Sequence, residues 1–417
     1  MRHKKEITAE VSKRYKKAKK KQKKIILDEF VALTGYNRNY ASRILRLYYG
    51  RHIGSIGKGK TKIRYVVGKD KKHKKDRKRY YDDCTKDILK KIWIILDMPC
   101  GKRLAPFLPE IILKLEVFGE IEMDSLTRQK LHKISASTID RLLKPVKEKL
   151  RIGKGRSFTK PGTLLKHQIP IKTFSDWNDA IPGYLEADLV GHDGGNGCGE
   201  FSFSINFTDV ATCWDEPVAI KNKAQKWVVE ATDTVRGRLP FEMLGIDSDN
   251  GSEFINNHFF VYCKDHKITF TRSRSYKKND SCYVEQKNYC VVRRAVGYLR
   301  YDTDEELGIL NELYGYLRLY INFFIPVRKC TSKTRTGSKT KKNYDAAKTP
   351  YRRVLECTGI DDKIKARLRR QYDGLNPAEL KRKITTLQDR LLKLSALKQQ
   401  VLRESTGELK PSIEYTY

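Results

Sequence analysis

The chain has 417 residues, enough for two to four folded units of roughly 100–200 residues each and for at least one large hydrophobic core. Lysine and arginine total 86 against 50 acidic residues, for a formal net charge of +36, while 39% of the residues are hydrophobic and 10% are aromatic. This composition excludes a small disulfide-stapled scaffold and a disordered basic tail. It indicates a globular protein with a polyanionic partner, for which nucleic acid is the leading candidate.

The cysteine content and the hydropathy pattern favour a cytoplasmic location. Nine cysteines, with no CxxC pair, are scattered along the chain, as expected for free thiols in a reducing compartment. The first residues lead straight into lysines, and the longest apolar stretch, 313–327, is interrupted by Arg318 and Asn322. The sequence therefore predicts no signal peptide and no membrane partner.

Residues 1–57 carry the pattern of a basic helix-turn-helix domain. A lysine-rich block at 13–24 runs into an apolar helical pattern, Gly35 suits a tight turn, and Asn37 suits the start of a second helix. That second helix would bury Ala41, Ile44 and Leu45. Its opposite face carries the candidate DNA contacts, which are Arg38, Asn39, Tyr40 and Arg43. An ordinary helical hairpin is the alternative.

Residues 58–179 are predicted to contain two linkers around a second helical domain. The stretch 58–80 is too basic to fold alone and is predicted as the first linker. Helical periodicity then continues over 81–150, where a serine N-cap near residue 135 allows either a second helix-turn-helix or plain bundle packing. Residues 151–179, with scattered glycine and proline, are predicted as the second linker.

Residues 180–325 change to an α/β pattern. An apolar run at 184–190 predicts one strand, strict alternation over 201–208 predicts a second, and a third ends near residue 220. Helices and strands then alternate, ending with a long helix over 283–299. The element order βββαβαβα predicts a mixed five-stranded sheet with helices on its faces.

Three carboxylates occupy unusual positions on this scaffold. Asp188 lies inside the first apolar strand, Asp249 lies where a later strand ends, and Glu285 falls within the apolar arc of the last helix. Each has an ordinary alternative: a buried hydrogen-bonded aspartate, a turn residue and a first-turn helix acid. Their joint placement favours a site for hard divalent cations, since Mg²⁺ prefers oxygen ligands. Two such ions about 4 Å apart can assist both oxygens of a phosphoryl displacement.

These residues lie in motifs that resemble a known family. The motifs are Tyr-Leu-Glu-Ala-Asp at 184–188, Asp-Ser-Asp-Asn-Gly-Ser-Glu-Phe at 247–254 and Tyr-Val-Glu-Gln-Lys-Asn at 283–288. The interval from Asp249 to Glu285 leaves 35 intervening residues, as in the D,D-35-E signature of the retroviral-integrase superfamily. The chain most resembles the bacterial insertion-sequence transposases of that superfamily, over about residues 180–356.

The resemblance implies a fold and a chemistry. The expected fold is an α/β RNase H-like core joined to an all-α helix-turn-helix region and a helical C-terminal tail. Asp188, Asp249 and Glu285 become the catalytic metal ligands for two Mg²⁺ ions, or Mn²⁺ in their place. The implied partners are double-stranded DNA, as element terminal repeats and as target, and further copies of the chain in a homo-oligomer on DNA. The resemblance therefore also implies a cytoplasmic bacterial protein that is associated with the nucleoid.

Further basic segments are candidate DNA contacts. The segment before Glu285 contributes Lys277 and Lys278, and Lys287 follows it; a solvated charged loop is the alternative. Residues 326–356 are predicted as a basic extension, extended or disordered over 328–342. Residues 357–417 are predicted to be helical, with apolar a/d spacing that suits packing on the body or self-association equally.

The sequence thus predicts a transposase that cleaves the 3′ ends of an element and joins them to target DNA. The alternative is a non-catalytic helix-turn-helix regulator in which a decayed RNase H-like core serves as scaffold. All three acids are present in the sequence, which argues against that alternative.

Overall fold

The computed structural model divides the chain into two compact units, Met1–Tyr80 and Tyr81–Tyr417, each with its own hydrophobic core. No helix among the described residues is both long enough and apolar enough to cross a membrane. The structure describes residues 2–48, 51–56, 63–67, 80–149, 181–248, 251, 253–272, 287–336 and 339–405.

The first unit contains three helices and a hairpin. The helices are α1 (Arg2–Lys17), α2 (Lys20–Thr34) and α3 (Arg38–Leu47). The strands β1 (Arg51–Ile56) and β2 (Ile63–Val67) pair antiparallel. The linker prediction at 58–80 did not include β2, because the basic composition around these residues masks a short β-branched run.

The turn between α2 and α3 forms as the sequence predicts. Gly35 adopts φ +66°, a left-handed conformation that glycine reaches without strain. The side chain of Asn37 accepts a hydrogen bond from the backbone N–H of Asn39 at 2.9 Å and thereby caps α3. Phe30, Ala41 and Leu45 are buried between the helices, so the small core of this unit fixes which face of α3 points outward.

The second unit begins with a helical region. Its helices are α4 (Asp83–Ile95), α5 (Gly101–Leu104), α6 (Leu108–Val117), α7 (Ser125–His132) and α8 (Ala136–Lys149), with a 3₁₀ turn at Ala105–Phe107. An ideal Cβ on Gly101 would lie 2.0 Å from the Ala136 carbonyl oxygen, so only glycine allows α5 to approach α8 this closely. The α4 to α8 helices share one continuous core with the elements that follow.

A five-stranded mixed sheet forms the centre of this unit. Its strands are β3 (Tyr184–Gly191), β4 (Phe203–Asp209), β5 (Asp215–Ile220), β6 (Gly245–Ser248) and β7 (Thr269–Arg272), in the spatial order β5-β4-β3-β6-β7. The first three strands are antiparallel, and β3, β6 and β7 are parallel. The predicted α/β class, a mixed five-stranded sheet with flanking helices joined to helical N- and C-terminal regions, is confirmed.

Helices cover the sheet and connect its parallel strands. They are α9 (Gln225–Arg238), α10 (Asn257–Asp265), a π-helical segment at Asn288–Arg293 that continues into α11 (Arg294–Val296), and α12 (Asp304–Phe324). The sequence predicts a regular helix over 283–299. In the described part of this stretch the structure has instead a π-helical segment followed by one short α-helical turn, α11, which ends before Gly297, where φ is +70°.

The C-terminal part folds back on the core. It contains the hairpin β8 (Cys330–Thr336) and β9 (Lys339–Tyr344), then α13 (Pro350–Glu356), α14 (Asp362–Gly374) and α15 (Pro377–Ser405). Most of the stretch predicted as a disordered or extended arm, 328–342, lies in these two paired strands. Along α15 the first four a/d residues are buried against the body, which are Leu380, Ile384, Leu387 and Leu391.

Candidate active site at the carboxyl end of the central strands

The strand register defines the position of the first predicted ligand. β3 and β6 run parallel, and the last registered pair between them is Ala187 with Ser248. Asp188 is the next residue after Ala187, and Asp249 is the next residue after Ser248. Asp188 is among the described residues, whereas Asp249 and Glu285 lie outside them. The carboxyl edge of parallel strands is where sites form in open α/β sheets.

The Asp188 carboxylate is partly buried and fixed by two hydrogen bonds. Its Oδ2 accepts from Asn288 Nδ2 at 2.7 Å, and its Oδ1 accepts from the backbone N–H of Leu189 at 2.8 Å. Asn288 opens the π-helical segment, has only 9% of its surface exposed, and lies three positions after Glu285 in the sequence. This contact ties the helix that follows Glu285 to the strand that carries Asp188.

A row of buried polar side chains crosses the sheet beside this site. Each member of the row is the register partner of the next member on the neighbouring strand, so the row crosses all five strands in one line. From β7 to β5 its members are Thr271, Asp247, Glu186, Thr208 and Asp215. None of these residues is more than 4% exposed. Thr271 Oγ1 donates to Asp247 Oδ1 at 2.6 Å. Asp247 therefore bonds to the neighbouring strand within the sheet, and its carboxylate lies inside the fold.

Asp215 forms the β5 end of this row and lies close to Lys287. Its Oδ1 accepts from Thr208 Oγ1 at 2.5 Å and from Asn206 Nδ2 at 3.3 Å, and it lies 3.9 Å from Lys287 Nζ. Burial raises the pKa of Asp215, and the nearby Lys287 ammonium opposes that rise. Among the described residues, its second oxygen, Oδ2, has no hydrogen-bond partner.

Lys287 is one of the predicted DNA contacts, and the structure encloses most of its side chain. Its Nζ donates to the Cys213 carbonyl oxygen at 3.2 Å, and only 13% of the side chain is exposed. Because the ammonium faces Asp215 and a backbone carbonyl, its main contacts are structural. The sequence could not reveal this, since Asp215 and Lys287 are 72 positions apart in the chain.

Two further acids, Asp209 and Asp193, accept hydrogen bonds within turns. Asp209 accepts from the backbone N–H of Gly183 at 2.8 Å and from both the N–H and the hydroxyl of Thr212. Burial raises its pKa to about 6, although these donors oppose the shift. Asp193 accepts from the backbone N–H of Gly195 at 3.1 Å.

The predicted DNA-contact residues of the first unit all lie on the exposed face of α3. Arg38 forms an ion pair with Asp28 and is 48% exposed, while Tyr40 is 51% exposed with its ring edge-on to Tyr36 at 5.1 Å. Asn39 and Arg43 are also exposed. Lys277 and Lys278 lie outside the described residues.

Two of the three predicted metal ligands lie outside the described residues. Within the described ranges, no three His, Cys, Asp or Glu side chains form a group that could hold a metal ion. Of the three predicted ligands only Asp188 falls in those ranges. The complete predicted set supplies carboxylate oxygen alone, which is the donor chemistry that suits Mg²⁺ or Mn²⁺.

Comparison with known proteins identifies one relative with high coverage. No family model matches the chain. The uncharacterized protein y4rM of Sinorhizobium fredii is 36% identical over 348 residues, which cover 84% of this chain and 94% of y4rM. The chain belongs to the y4rM family. The alignment therefore includes most of both proteins.

Solved structures of retroviral integrases align with the chain at low similarity. The magnesium complex of the HTLV-2 integrase catalytic core is 13% identical, with a TM-score of 0.28 over 36% of this chain and 93% of that one. The catalytic core of BIV integrase is 17% identical, with a TM-score of 0.29 over 42% and 94%. A simian T-cell lymphotropic virus intasome in complex with a PP2A regulatory subunit is 14% identical, with a TM-score of 0.30 over 56% and 86%. TM-scores this low do not establish a shared activity.

Proposed function

We propose that this member of the y4rM family is a DNA transposase that cleaves the 3′ ends of an element and joins them to target DNA. The observation that carries the proposal is the β3–β6 register, in which the residues preceding Asp188 and Asp249 are paired. Each aspartate directly follows one of these paired residues in the chain. Adjacent Cα atoms across a trans peptide are about 3.8 Å apart. This adjacency supports Asp188 and Asp249 as members of one site.

A similar argument connects Glu285 to the same site. Asn288 donates to the Asp188 carboxylate, and Glu285 precedes Asn288 by three residues. A chain of three residues spans at most about 11 Å, a separation compatible with Glu285 joining Asp188 in one site. The motif spacing and this contact support the same set of three ligands.

Asp188, Asp249 and Glu285 would hold two Mg²⁺ ions through their carboxylate oxygens. When bound, such ions activate the attacking oxygen and stabilise the leaving oxygen of an in-line phosphoryl displacement. The protein residues around them hold the ligands in position. Asn288 fixes the orientation of the Asp188 carboxylate through its 2.7 Å hydrogen bond. Lys287 fastens the same segment to the start of β5.

The first unit would recognise the element ends. Its helix α3 presents Arg38, Asn39, Tyr40 and Arg43 on one exposed face, a geometry that suits insertion into the major groove. The net charge of +36 supplies phosphate contacts that are independent of sequence, and Lys277 and Lys278 would add some near the scissile bond. Because two ends must be joined together, the active form would be a homo-oligomer on DNA.

A cleavage and joining assay tests the proposal. The substrate is duplex DNA carrying the genomic flanks of the gene, and the variants are Asp188→Asn, Asp249→Asn and Glu285→Gln. Each should lower the rate of 3′-end cleavage at least about 100-fold and leave DNA binding close to that of the wild type.

Asp265→Asn is the matched control, because this exposed acid at the end of α10 lies in neither the motif nor the polar row. Wild-type rates in any of the three motif variants would remove that residue from the ligand set. Specific DNA binding without any metal-dependent cleavage by the wild type would support the non-catalytic regulator instead.

A further inference from the structure

A partly enclosed cavity lies within the second unit, where the helical region, the π-helical segment, α12 and α15 meet. Buried side chains of α12 form an apolar floor, with Leu317 and Tyr320 at its centre. The described lining contains one carboxylate, Asp97, and four cationic side chains, which are Arg103, Lys287, Arg294 and Lys381. Such an excess of positive charge in a partly enclosed space favours the binding of an anion.

Ion pairs within the protein account for only part of this charge. Asp97 lies 2.8 Å from Arg294 and 3.1 Å from Lys381, so its two oxygens are both engaged. Lys287 faces Asp215, which does not line the cavity. Among the described residues Arg103 has no carboxylate within ion-pair distance, and its Nε donates to the Pro326 carbonyl oxygen at 2.5 Å.

Among the described residues, the Arg103 guanidinium is therefore the cation of this cavity that has no carboxylate partner. Its Nε donates to the Pro326 carbonyl oxygen. Within the described ranges, no protein acceptor lies within hydrogen-bond distance of its two terminal nitrogens. Burial lowers the pKa of Arg103, and Arg294 adds to that effect. A cation held in this state gains more from an anionic partner than an exposed surface arginine would.

We propose that this cavity binds a phosphate group, held by the terminal nitrogens of Arg103 with Lys287, Arg294 and Lys381 around it. The planar fork of arginine matches two phosphate oxygens, and the surplus of cations over carboxylates favours a group with more charge than a single carboxylate carries. Either the DNA backbone or a free phosphoryl compound could supply this chemistry. The inference goes beyond the proposed function, because none of the three motif acids takes part.

The cavity is open to solvent and contains a chemical reporter. Arg294 and Lys381 keep 39% and 25% of their side chains exposed, so an ion can enter past them. Cys290 is exposed and lines the same cavity. A bound anion should therefore shield the Cys290 thiol from an alkylating reagent. Cys198 is also exposed and does not line the cavity, so it serves as an internal control.

The experiment measures maleimide alkylation of the full chain by peptide mass spectrometry, at constant ionic strength, while sodium pyrophosphate is titrated. At a concentration of about ten times its Kd, pyrophosphate should slow the modification of Cys290 roughly tenfold and leave Cys198 unchanged. A short duplex DNA forms the second arm. Protection by both ligands assigns the site to backbone phosphates, and protection by pyrophosphate alone assigns it to a free phosphoryl compound.

Three variants separate binding from packing. Arg103→Gln should weaken protection at least about tenfold. Arg103→Lys should retain part of the protection, because lysine keeps the positive charge but lacks the planar fork of arginine. Lys102→Gln is the matched control, since Lys102 is exposed on the same short helix and does not line the cavity. If Arg103→Gln fails to fold by circular dichroism, Lys381→Gln replaces it and should weaken protection severalfold.

Two results would overturn the proposal: no saturable protection of Cys290 in the wild type, or unchanged protection in both Arg103→Gln and Lys381→Gln. Asp188→Asn should keep full protection by pyrophosphate. If the wild type does not cleave DNA but pyrophosphate still protects Cys290, the proposed function alone is contradicted. If the wild type cleaves DNA and Cys290 is not protected, the phosphate site alone is contradicted.

Discussion

The two units place their charged residues in opposite ways. On α3 of the first unit, the arginines and aromatics lie on an exposed face over a small apolar core. In the second unit, the sheet encloses a row of acids and threonines that water does not reach. An exposed charge contributes little to stability and is free to bind a partner, whereas a buried one affects the fold and the adjacent site together. The same kind of substitution should therefore have different effects in the two units.

The largest expected effect concerns the buried turn acid Asp209 and its dependence on pH. Its folded pKa is raised to about 6 from 3.8, so the native state favours the protonated form. The stabilisation from this group is complete below pH 4 and is lost as the pH rises through 6. Relative to Asp209→Asn, the wild type should lose on the order of 3 kcal/mol of unfolding free energy across that range.

Urea unfolding of both proteins at pH 4, 5, 6 and 7 measures this difference. Asp265→Asn, at an exposed site, supplies the comparison for a carboxylate that is not buried. A constant difference between wild type and Asp209→Asn at all four pH values would show that the Asp209 carboxylate is not desolvated in the folded protein.

The second effect concerns the contact between Asp215 and Lys287. Lys287→Met removes the ammonium 3.9 Å from a fully buried carboxylate and should cost about 2 kcal/mol at pH 7. The cost should be smaller at pH 5 than at pH 7, because burial raises the pKa of Asp215 and protonation removes the unpaired charge. Denaturant midpoints of wild type and variant at both pH values test this. A larger cost at the lower pH would contradict it.

The third effect is on catalysis. Asn288→Ala removes the donor to Asp188 Oδ2 and should slow 3′-end cleavage about tenfold or more, with a shift to higher Mg²⁺ requirement. The measurement is cleavage rate as a function of Mg²⁺ concentration. Because a merely structural role would lower the rate without changing the metal requirement, an unchanged Mg²⁺ dependence would remove Asn288 as a positioning residue.

The smallest effect on stability should come from the exposed face of the first unit. Arg38→Ala combined with Arg43→Ala should change the unfolding free energy by less than about 1 kcal/mol, yet should reduce discrimination between terminal-repeat and random DNA. Replacing Lys19, Lys20 and Lys21 with alanine should weaken both kinds of binding together and flatten the salt dependence. Equal losses of specific and random binding in the arginine variant would argue against a recognition role for α3.

Local patterns in the sequence predicted much of the fold. The alternation over 201–208 and the apolar run over 184–190 identify strands, because a period of two and a short apolar run are local properties. Gly35 and Asn37 identify the turn of the first unit for the same reason. Asp188 could be selected because a carboxylate inside an apolar strand needs an explanation.

The remaining features depend on contacts that are distant in sequence or on deviations from ideal geometry. The contacts from Asn288 to Asp188 and from Lys287 to Asp215 join residues that no periodicity relates. The π-helical segment departs from the 100° per residue on which a helical wheel relies, so wheel positions beyond Lys287 shift. The β8–β9 hairpin is held by backbone pairing between polar residues, which composition does not reveal.

Contacts of the long helix α15 hold the helical region on the core independently of the covalent connection between them. Near its start, Lys381 and Arg382 reach Asp97 and Glu120 of the helical region, and near its end Lys398 reaches Asp302 and Glu306 beside α12. Lys114 of α6 also donates to the carbonyl oxygens of Tyr372 and Asp373. The helical region thus remains attached to the core by contacts that do not pass through residues 151–180. A protease that cuts there would release no fragment, and the two pieces would migrate together until denatured.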